Sequence, residues 1–184
     1  MSQSDNTIII ILAAGKGTRM NSDIPKVLHK INKKSMLNIV IETSKKLNPE
    51  KIIVVVGYKK ELIINTVNDS SITFVNQNKQ LGTGHAIEQC LDEIKNFNGD
   101  ILILSGDVPL IKYSTLNNFI LKHKKKKSYA SLITTSIKNP KGYGRIIKNK
   151  SGQLINIIEH KDANNNELEI NEINCGDYTA RRIT

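Results

Sequence analysis

The chain has 184 residues, 39% of them hydrophobic and 24% charged, with a formal net charge of +10 at neutral pH. That length fits one domain with a real core, and no apolar run approaches the roughly 20 residues of a membrane span. Met1 to Asn6 is polar and lacks a basic-then-apolar leader pattern, so a cytoplasmic protein is expected.

Cys90 and Cys175 are far apart and outside any C-x-x-C spacing, which argues for free thiols rather than a disulfide framework or a zinc site. The basic balance alone would suit a nucleic-acid partner. The lysines, however, are scattered through predicted helices, and the one dense run, Lys124 to Lys127, falls at a helix end where it suits the helix dipole. Aromatic residues for base stacking are few, so neither a nucleic-acid nor a membrane partner is expected.

Apolar runs alternate with amphipathic segments along the chain. Thr7 to Leu12 reads as a first strand, and Ser35 as the N-cap of a helix carrying Met36, Leu37, Val40, Ile41 and Leu47 on one face, ended by Asn48-Pro49. Lys51 to Val56 is a second strand bounded by Gly57, followed by a helix from Lys60 to Val67 and a short strand from Ile72 to Val75. A helix is expected from Gly84 to about Phe97, then a strand from Asp100 to Leu104, a helix capped by Ser114 and running to about Lys125, and a strand from Tyr129 to Thr135. Strands buried on both faces and separated by helices imply parallel pairing with right-handed crossovers, hence a three-layer α/β domain. Beyond Ile137 the pattern changes to a hairpin, Arg145 to Lys148 with Leu154 to Glu159, then a polar loop at Asp162 to Asn166 and an extended segment from Glu169 to Tyr178.

In open parallel sheets ligands bind beyond the carboxyl ends of the strands. The residues there are Ala13 to Arg19, Gln77 to Gly84, and Gly106-Asp107-Val108-Pro109. In the first loop Gly15 and Gly17 allow close backbone approach, while Lys16, Arg19 and Lys26 supply the charge a polyphosphate needs. An ordinary strand-ending turn accounts for the glycines equally well. The second loop could hold an anion at a helix start, read the edge of a base with its amides, or simply cap the helix. Asp107 could organise a turn, or bridge through Mg²⁺ to a phosphate, since Mg²⁺ takes few protein ligands and keeps waters. Gly15 and Gly17 are not followed by the third glycine of a dinucleotide fingerprint, no Walker loop occurs, and His29, His85, His123 and His160 do not recur at metal-ligand spacing. His85, at a helix start, is expected to pack or hydrogen-bond rather than act as a base.

The run Leu12-Ala13-Ala14-Gly15-Lys16-Gly17-Thr18-Arg19-Met20 followed by Pro25-Lys26 resembles the signature of the sugar nucleotidyltransferases. Gln80 to Ala86, Gly106 to Leu110, Gly142 to Ile146, Ile158 to Ala163 and Glu172 to Asn174 follow in the order seen in bacterial N-acetylglucosamine-1-phosphate uridyltransferases. The resemblance runs from about Ile8 to Gly176. It implies a Rossmann-like, mostly parallel sheet of the nucleotide-diphospho-sugar transferase type with a C-terminal β-hairpin insertion. It also implies formation of UDP-N-acetylglucosamine and pyrophosphate from UTP and N-acetylglucosamine 1-phosphate, with Mg²⁺, for cell-envelope precursor synthesis.

Carried over motif by motif, the resemblance implies that Leu12, Ala13, Ala14 and Gly15 hold the uridine part through backbone groups, with Gln77 and Gly82 reading the uracil edge and Thr83 nearby. Arg19 and Lys26 would face the phosphates, Lys26 at the α-phosphate, and Asp107 would be the Mg²⁺ ligand beside Ser105 and Gly106. Gly144, Glu159 and Asn174 would line the sugar pocket. The alternatives are a pyrophosphorylase for another sugar nucleotide, or a non-catalytic UTP-binding remnant.

Three departures from the family pattern stand out. Ser105 replaces a frequent tyrosine, and Cys175 and Asp177 stand where a small hydroxyl residue and an apolar one are usual. By the same resemblance the family's domain continues for several elements that supply an asparagine as a further Mg²⁺ ligand. An acetyltransferase β-helix, with its trimeric assembly, follows in the longer members. The expectation is therefore one incomplete uridyltransferase domain over 1–184, as from a truncated or frameshifted product, with homo-oligomers only where the C-terminal domain is present.

Overall fold

The computed structural model describes residues 6–17, 20 and 22–181. The chain forms two compact units, one drawn from residues 1–131 with 179–184 and the other Leu132–Tyr178.

The first unit is organised on strand β1 (Thr7–Leu12). Ile8 is 1% exposed, and Ile9, Ile10 and Ile11 are fully buried. Successive side chains of a strand point to opposite faces, so consecutive burial means that both faces are covered. β1 pairs in parallel with β4 (Lys51–Val56) on one side and β6 (Asp100–Ser105) on the other, and β4 pairs in parallel with β5 (Ile72–Asn76). The spatial order β5-β4-β1-β6 means that the chain moves outward from β1 and then returns to its far side. In register, Leu12 faces both Val55 and Ser105, and Val56 faces Asn76, so the carboxyl ends of all four strands share one edge.

Parallel strands need crossovers, and helices supply them. Helix α1 (Met36–Lys45) begins where Ser35 Oγ accepts the Asn38 N–H at 3.2 Å, as the sequence predicts, and buries Leu37, Val40 and Ile41. Before it, β2 (Lys30–Ile31) and β3 (Lys34–Ser35) form a small hairpin that the apolar pattern does not announce. Its turn residues Asn32 and Lys33 both have positive φ, 47° and 70°, the backbone a two-residue hairpin turn requires. Helix α2 (Lys60–Val67) buries Ile63. The expected helix from Gly84 to Phe97 is two short ones, α3 (Thr83–Glu88) and α4 (Leu91–Ile94), separated at Gln89-Cys90. Helix α5 (Tyr113–Lys126) starts before Ser114, which therefore lies inside the first turn; Lys112 is the N-cap, without a side-chain cap bond.

At the amino ends of the strands, Asp100 is buried opposite two cations, Lys124 Nζ at 4.0 Å and Arg181 Nε at 3.8 Å, and the His123 imidazole, whose Nε2 lies at 3.6 Å. Burial pushes the His123 imidazole down from its usual range, against the pull of Asp100. The thiol of Cys90 is buried and pushed up to about 12, chiefly by desolvation, so it is a core residue rather than a nucleophile; both cysteines are free. Among the described residues no helix is long and apolar enough to cross a membrane.

In the second unit β8 (Arg145–Lys148) and β9 (Leu154–Ile158) form the antiparallel hairpin the sequence predicts, with Arg145 opposite Ile158. The last strand, β10 (Glu172–Arg181), joins it through Ile173 opposite Arg145, and its residues beyond Tyr178 belong to the first unit. Thr134 of β7 (Ala130–Ser136) donates to Glu172 Oε1 at 2.6 Å. The polar loop expected near Asp162 to Asn166 instead contains helix α6 (Asn165–Leu168), started by a capping box between Asn164 and Glu167.

Helix α5 ends on Lys127 with φ 49°, donating its N–H back to His123 and Lys124 carbonyls, a left-handed position that glycine occupies without steric penalty. Lys127→Gly is expected to stabilise the chain by roughly 1 kcal/mol, raising its melting temperature by about 2–4 °C in a thermal melt. An unchanged or lower midpoint would contradict the cap assignment.

Candidate functional site

Two of the cavities at the carboxyl edge of the parallel sheet use the loop after β1. One, of about 380 Å³, is lined by Leu12, Ala13, Gly15, Gly17, Met20, Lys26, Val27 and Asp107. The other, of about 250 Å³, is lined by Leu12, Ala14, Gly15, Val55, Gln77, Gln80, Gly82, Thr83 and Ala86. Leu12 and Gly15 border both. A Cβ on Gly15 would meet nothing within 4 Å, so the position is open to an incoming ligand.

The loop is held as an extension of the β-ladder. The Ala13 N–H donates to Val55 O at 2.8 Å, the Gly106 N–H to Leu12 O at 3.0 Å, and the Tyr58 N–H to Ala14 O at 3.1 Å. Gly106 has to be small: a Cβ there would lie 2.9 Å from Leu12 O and 3.3 Å from both Leu37 and Val27 side chains. It therefore backs the loop by close packing, and Ser105 is the strand residue opposite Leu12.

The first cavity is the charged one. Lys26 Nζ and Asp107 Oδ2 are 2.5 Å apart, with side chains 37% and 31% exposed, so both groups reach the cavity and solvent. Lys26 precedes a buried turn, Val27 and Leu28, in a 3₁₀ segment after Pro25, which fixes where its side chain starts. Gly17 completes the placement: at φ 67°, a Cβ on it would sit 2.7 Å from Lys26 Cβ. Lys16 is directed elsewhere, with its Nζ 5.5 Å from the centre of the Tyr58 ring. Arg19 lies outside the described residues.

The second cavity ends in neutral polar groups. Gln77 is 3% exposed; its Nε2 donates to Gly82 O at 3.2 Å and lies 3.0 Å from His85 Nδ1. Gly82 has φ 104° and precedes Thr83 at the start of α3. His85 thus hydrogen-bonds, as the sequence predicts. A residue that sequence reasoning passes over is Gly57, read there only as a strand boundary. A Cβ on Gly57 would meet Gln80 Nε2 at 2.8 Å, Gln77 O at 2.9 Å and Ala14 O at 3.0 Å, so the loops after β1 and β5 come together only around a glycine.

Gly144, Glu159 and Asn174 belong to the second unit, where they gather. The Asn174 N–H donates to Gly144 O at 3.0 Å, and a Cβ on Gly144 would lie 3.3 Å from Glu159 Oε1. Glu159 is exposed. The Asn174 side chain is engaged at both ends, its Nδ2 donating to Tyr178 Oη at 2.5 Å and its Oδ1 accepting the Gly176 N–H at 3.0 Å. Arg145, which sequence reasoning uses only as part of a motif, is 1% exposed and donates to the carbonyls of Pro140 and Tyr143, fixing the turn that carries Gly144.

A Nucleotidyl transferase family model matches residues 8–179. The chain belongs to the nucleotidyl transferase family. Curated relatives named bifunctional protein GlmU, from Streptococcus pyogenes serotype M3 and from Streptococcus equi subsp. zooepidemicus, are each 46% identical over 169 residues. The match takes in 92% of this chain and 36% of each relative, so the chain spans about a third of their length. Among solved structures, HddC from Yersinia pseudotuberculosis shares the fold at a TM-score of 0.72 and 23% identity, over 95% of this chain and 76% of that one. UDP-glucose pyrophosphorylase in complex with UDP-glucose does so at 0.74 and 19%, with the same coverage. These likenesses bear out the α/β nucleotidyltransferase fold expected from the sequence.

Gly57→Ala tests the glycine junction between the two loops. Forcing two backbone carbonyls apart is expected to cost about 1–3 kcal/mol in a denaturant titration and to weaken nucleoside triphosphate binding by calorimetry. A folded variant with undiminished affinity would show that the junction does not shape the cavity.

Proposed function

We propose that the chain transfers a uridylyl group from UTP to N-acetylglucosamine 1-phosphate, forming UDP-N-acetylglucosamine and pyrophosphate. The observation that carries this reading is the pair of cavities sharing Leu12 and Gly15, one closed by amide groups suited to a base edge and the other by a lysine–aspartate pair suited to phosphate. The 46% identity to proteins named GlmU supports the choice of nucleotide and sugar over other sugar nucleotides.

The sugar phosphate is already an anion at neutral pH, so attack on the α-phosphorus needs no side-chain nucleophile. What the chain must supply is position and charge. Leu12, Ala13, Ala14 and Gly15 hold the nucleoside by close backbone approach, Gln77 and Gly82 face the uracil edge, and Thr83 borders it. Lys26 holds positive charge at the α-phosphate, where negative charge shifts during transfer, with Arg19 as a second cation from the same loop. Gly144, Glu159 and Asn174 form the sugar-binding set, the exposed carboxylate of Glu159 accepting from sugar hydroxyls.

Asp107 suits a Mg²⁺ ion, because Mg²⁺ commonly takes one or two carboxylates and completes its shell with waters and phosphate oxygens. Its Oδ2 lies 2.5 Å from Lys26 Nζ, so the carboxylate that would hold the metal and the cation that would meet phosphate share one cavity. When bound, Mg²⁺ supplies charge neutralisation on the triphosphate and its pyrophosphate leaving group.

Pyrophosphate release measured with UTP, Mg²⁺ and N-acetylglucosamine 1-phosphate tests the reading. Lys26→Ala is expected to lower kcat by roughly 10²-fold, with a smaller change in UTP affinity. Asp107→Asn is expected to abolish the Mg²⁺ dependence of the remaining rate. Binding of UTP without turnover by the unsubstituted chain would sink the transferase reading.

A further inference from the structure

Two amide nitrogens crowd one imidazole beside the smaller cavity, and no assignment of protons satisfies all of their contacts at once. Gln77 Nε2 lies 3.2 Å from Gly82 O and 3.0 Å from His85 Nδ1. Gln89 Nε2 lies 3.4 Å from His85 Nε2 and 3.3 Å from His85 O. A carbonyl oxygen can only accept, so Gly82 O requires that Gln77 present its NH₂ side there. The second hydrogen of that NH₂ then points to His85 Nδ1, which must be an unprotonated acceptor. A neutral imidazole has a single acceptor, so its proton is on Nε2, and it is the longer contact, to Gln89, that gives way. Turning that amide to accept from Nε2 gives up its bond to His85 O, but this carbonyl still accepts the Gln89 backbone N–H and Gln89, unlike Gln77, is only half-buried.

The consequence falls on the other end of Gln77. With both of its amide hydrogens committed, Gln77 has an acceptor, Oε1, left for a ligand. We infer that His85 is a positioning residue that locks the Gln77 amide with Oε1 as its ligand-facing atom, and that this lock selects a pyrimidine carrying an N–H at ring position 3 over one with a bare ring nitrogen there. Uracil has that N–H and cytosine has a lone pair in its place, so cytosine would set acceptor against acceptor. Turning the amide to suit cytosine would set Gln77 Oε1 against Gly82 O and remove the donor to His85. Burial of Gln77, at 3% exposure, keeps water from relieving either mismatch.

The inference rests on the uridine reading of the cavity proposed above, and the test separates the two. The dissociation constants of UTP and CTP with Mg²⁺ are measured by calorimetry for the full chain, for His85→Leu and for His85→Asn. Asparagine can place its Oδ1 where Nδ1 stands and still accept from Gln77, whereas leucine of the same shape cannot. His85→Leu is expected to weaken UTP about tenfold and to narrow the UTP-to-CTP preference by a similar factor, while His85→Asn keeps most of that preference. A His85→Leu chain with an unchanged preference, or a His85→Asn chain that loses as much as His85→Leu, would overturn the positioning role while leaving the uridine reading in place. Failure of the unsubstituted chain to bind UTP would overturn the uridine reading and this inference with it. A thermal melt of each variant distinguishes a change of preference from a loss of fold.

Discussion

Everything at the site depends on β1 being clamped between two parallel neighbours in a fixed register. Leu12 faces Val55 on one side and Ser105 on the other, and the ladder continues past the strand end through the Ala13 and Gly106 amides. A loop that begins as ladder has little freedom left to lose when a ligand arrives. The cost is paid in side chains: Gly57 and Gly106 stand where any Cβ would collide with a neighbouring carbonyl.

That clamp separates two kinds of recognition along one edge. Around Gln77 the groups are neutral and Gln77 itself is buried, so its energy comes from matching donors with acceptors, and a mismatch there is expensive because water cannot readily repair it. Around Lys26 and Asp107 the groups are charged and about one-third exposed, so their mutual attraction is screened and adds little to stability. Half-exposed charges are easily re-partnered, which is what a site needs when a triphosphate enters and pyrophosphate leaves. In the proposed reaction, selectivity and catalysis would thus draw on different physics at opposite ends of Leu12–Gly15.

The parallel core was legible because it is written in local pattern. Runs such as Ile8 to Ile11 and Ile52 to Val56 are too uniformly apolar for a half-exposed strand, and the loops after them are where a parallel sheet binds ligands. Gln77 and Lys26 were reachable by motif, and both line cavities. What escaped depends on neighbours distant in sequence. Gly57 looks like a strand boundary until the Gln77 and Ala14 carbonyls close on it, and Gly17 shapes Lys26 across nine positions of chain. The Lys30–Ser35 hairpin has strands too short to show a period, and α6 was hidden because four polar residues in a row read as loop while the Asn164–Glu167 box was overlooked. Ser114 failed as a cap because the helix began one residue before it.

In the second unit the same distinction between shaping and touching applies to Asn174. Its amide nitrogen and oxygen are each committed within β10, to Tyr178 and to the backbone of Gly176, which has φ 83°. Its own N–H holds the Gly144 carbonyl, and Gly144 in turn leaves room for the Glu159 carboxylate. An incoming hydroxyl that displaced Tyr178 would forfeit a bond worth about 1 kcal/mol, while the second amide hydrogen can be used without that loss. In the proposed sugar-binding set, Asn174 would therefore fix the backbone around Gly144 and offer one donor, with Glu159 left as the strong acceptor. Arg145, buried beneath the turn, donates its guanidinium to the Pro140 and Tyr143 carbonyls and so braces the turn that carries Gly144.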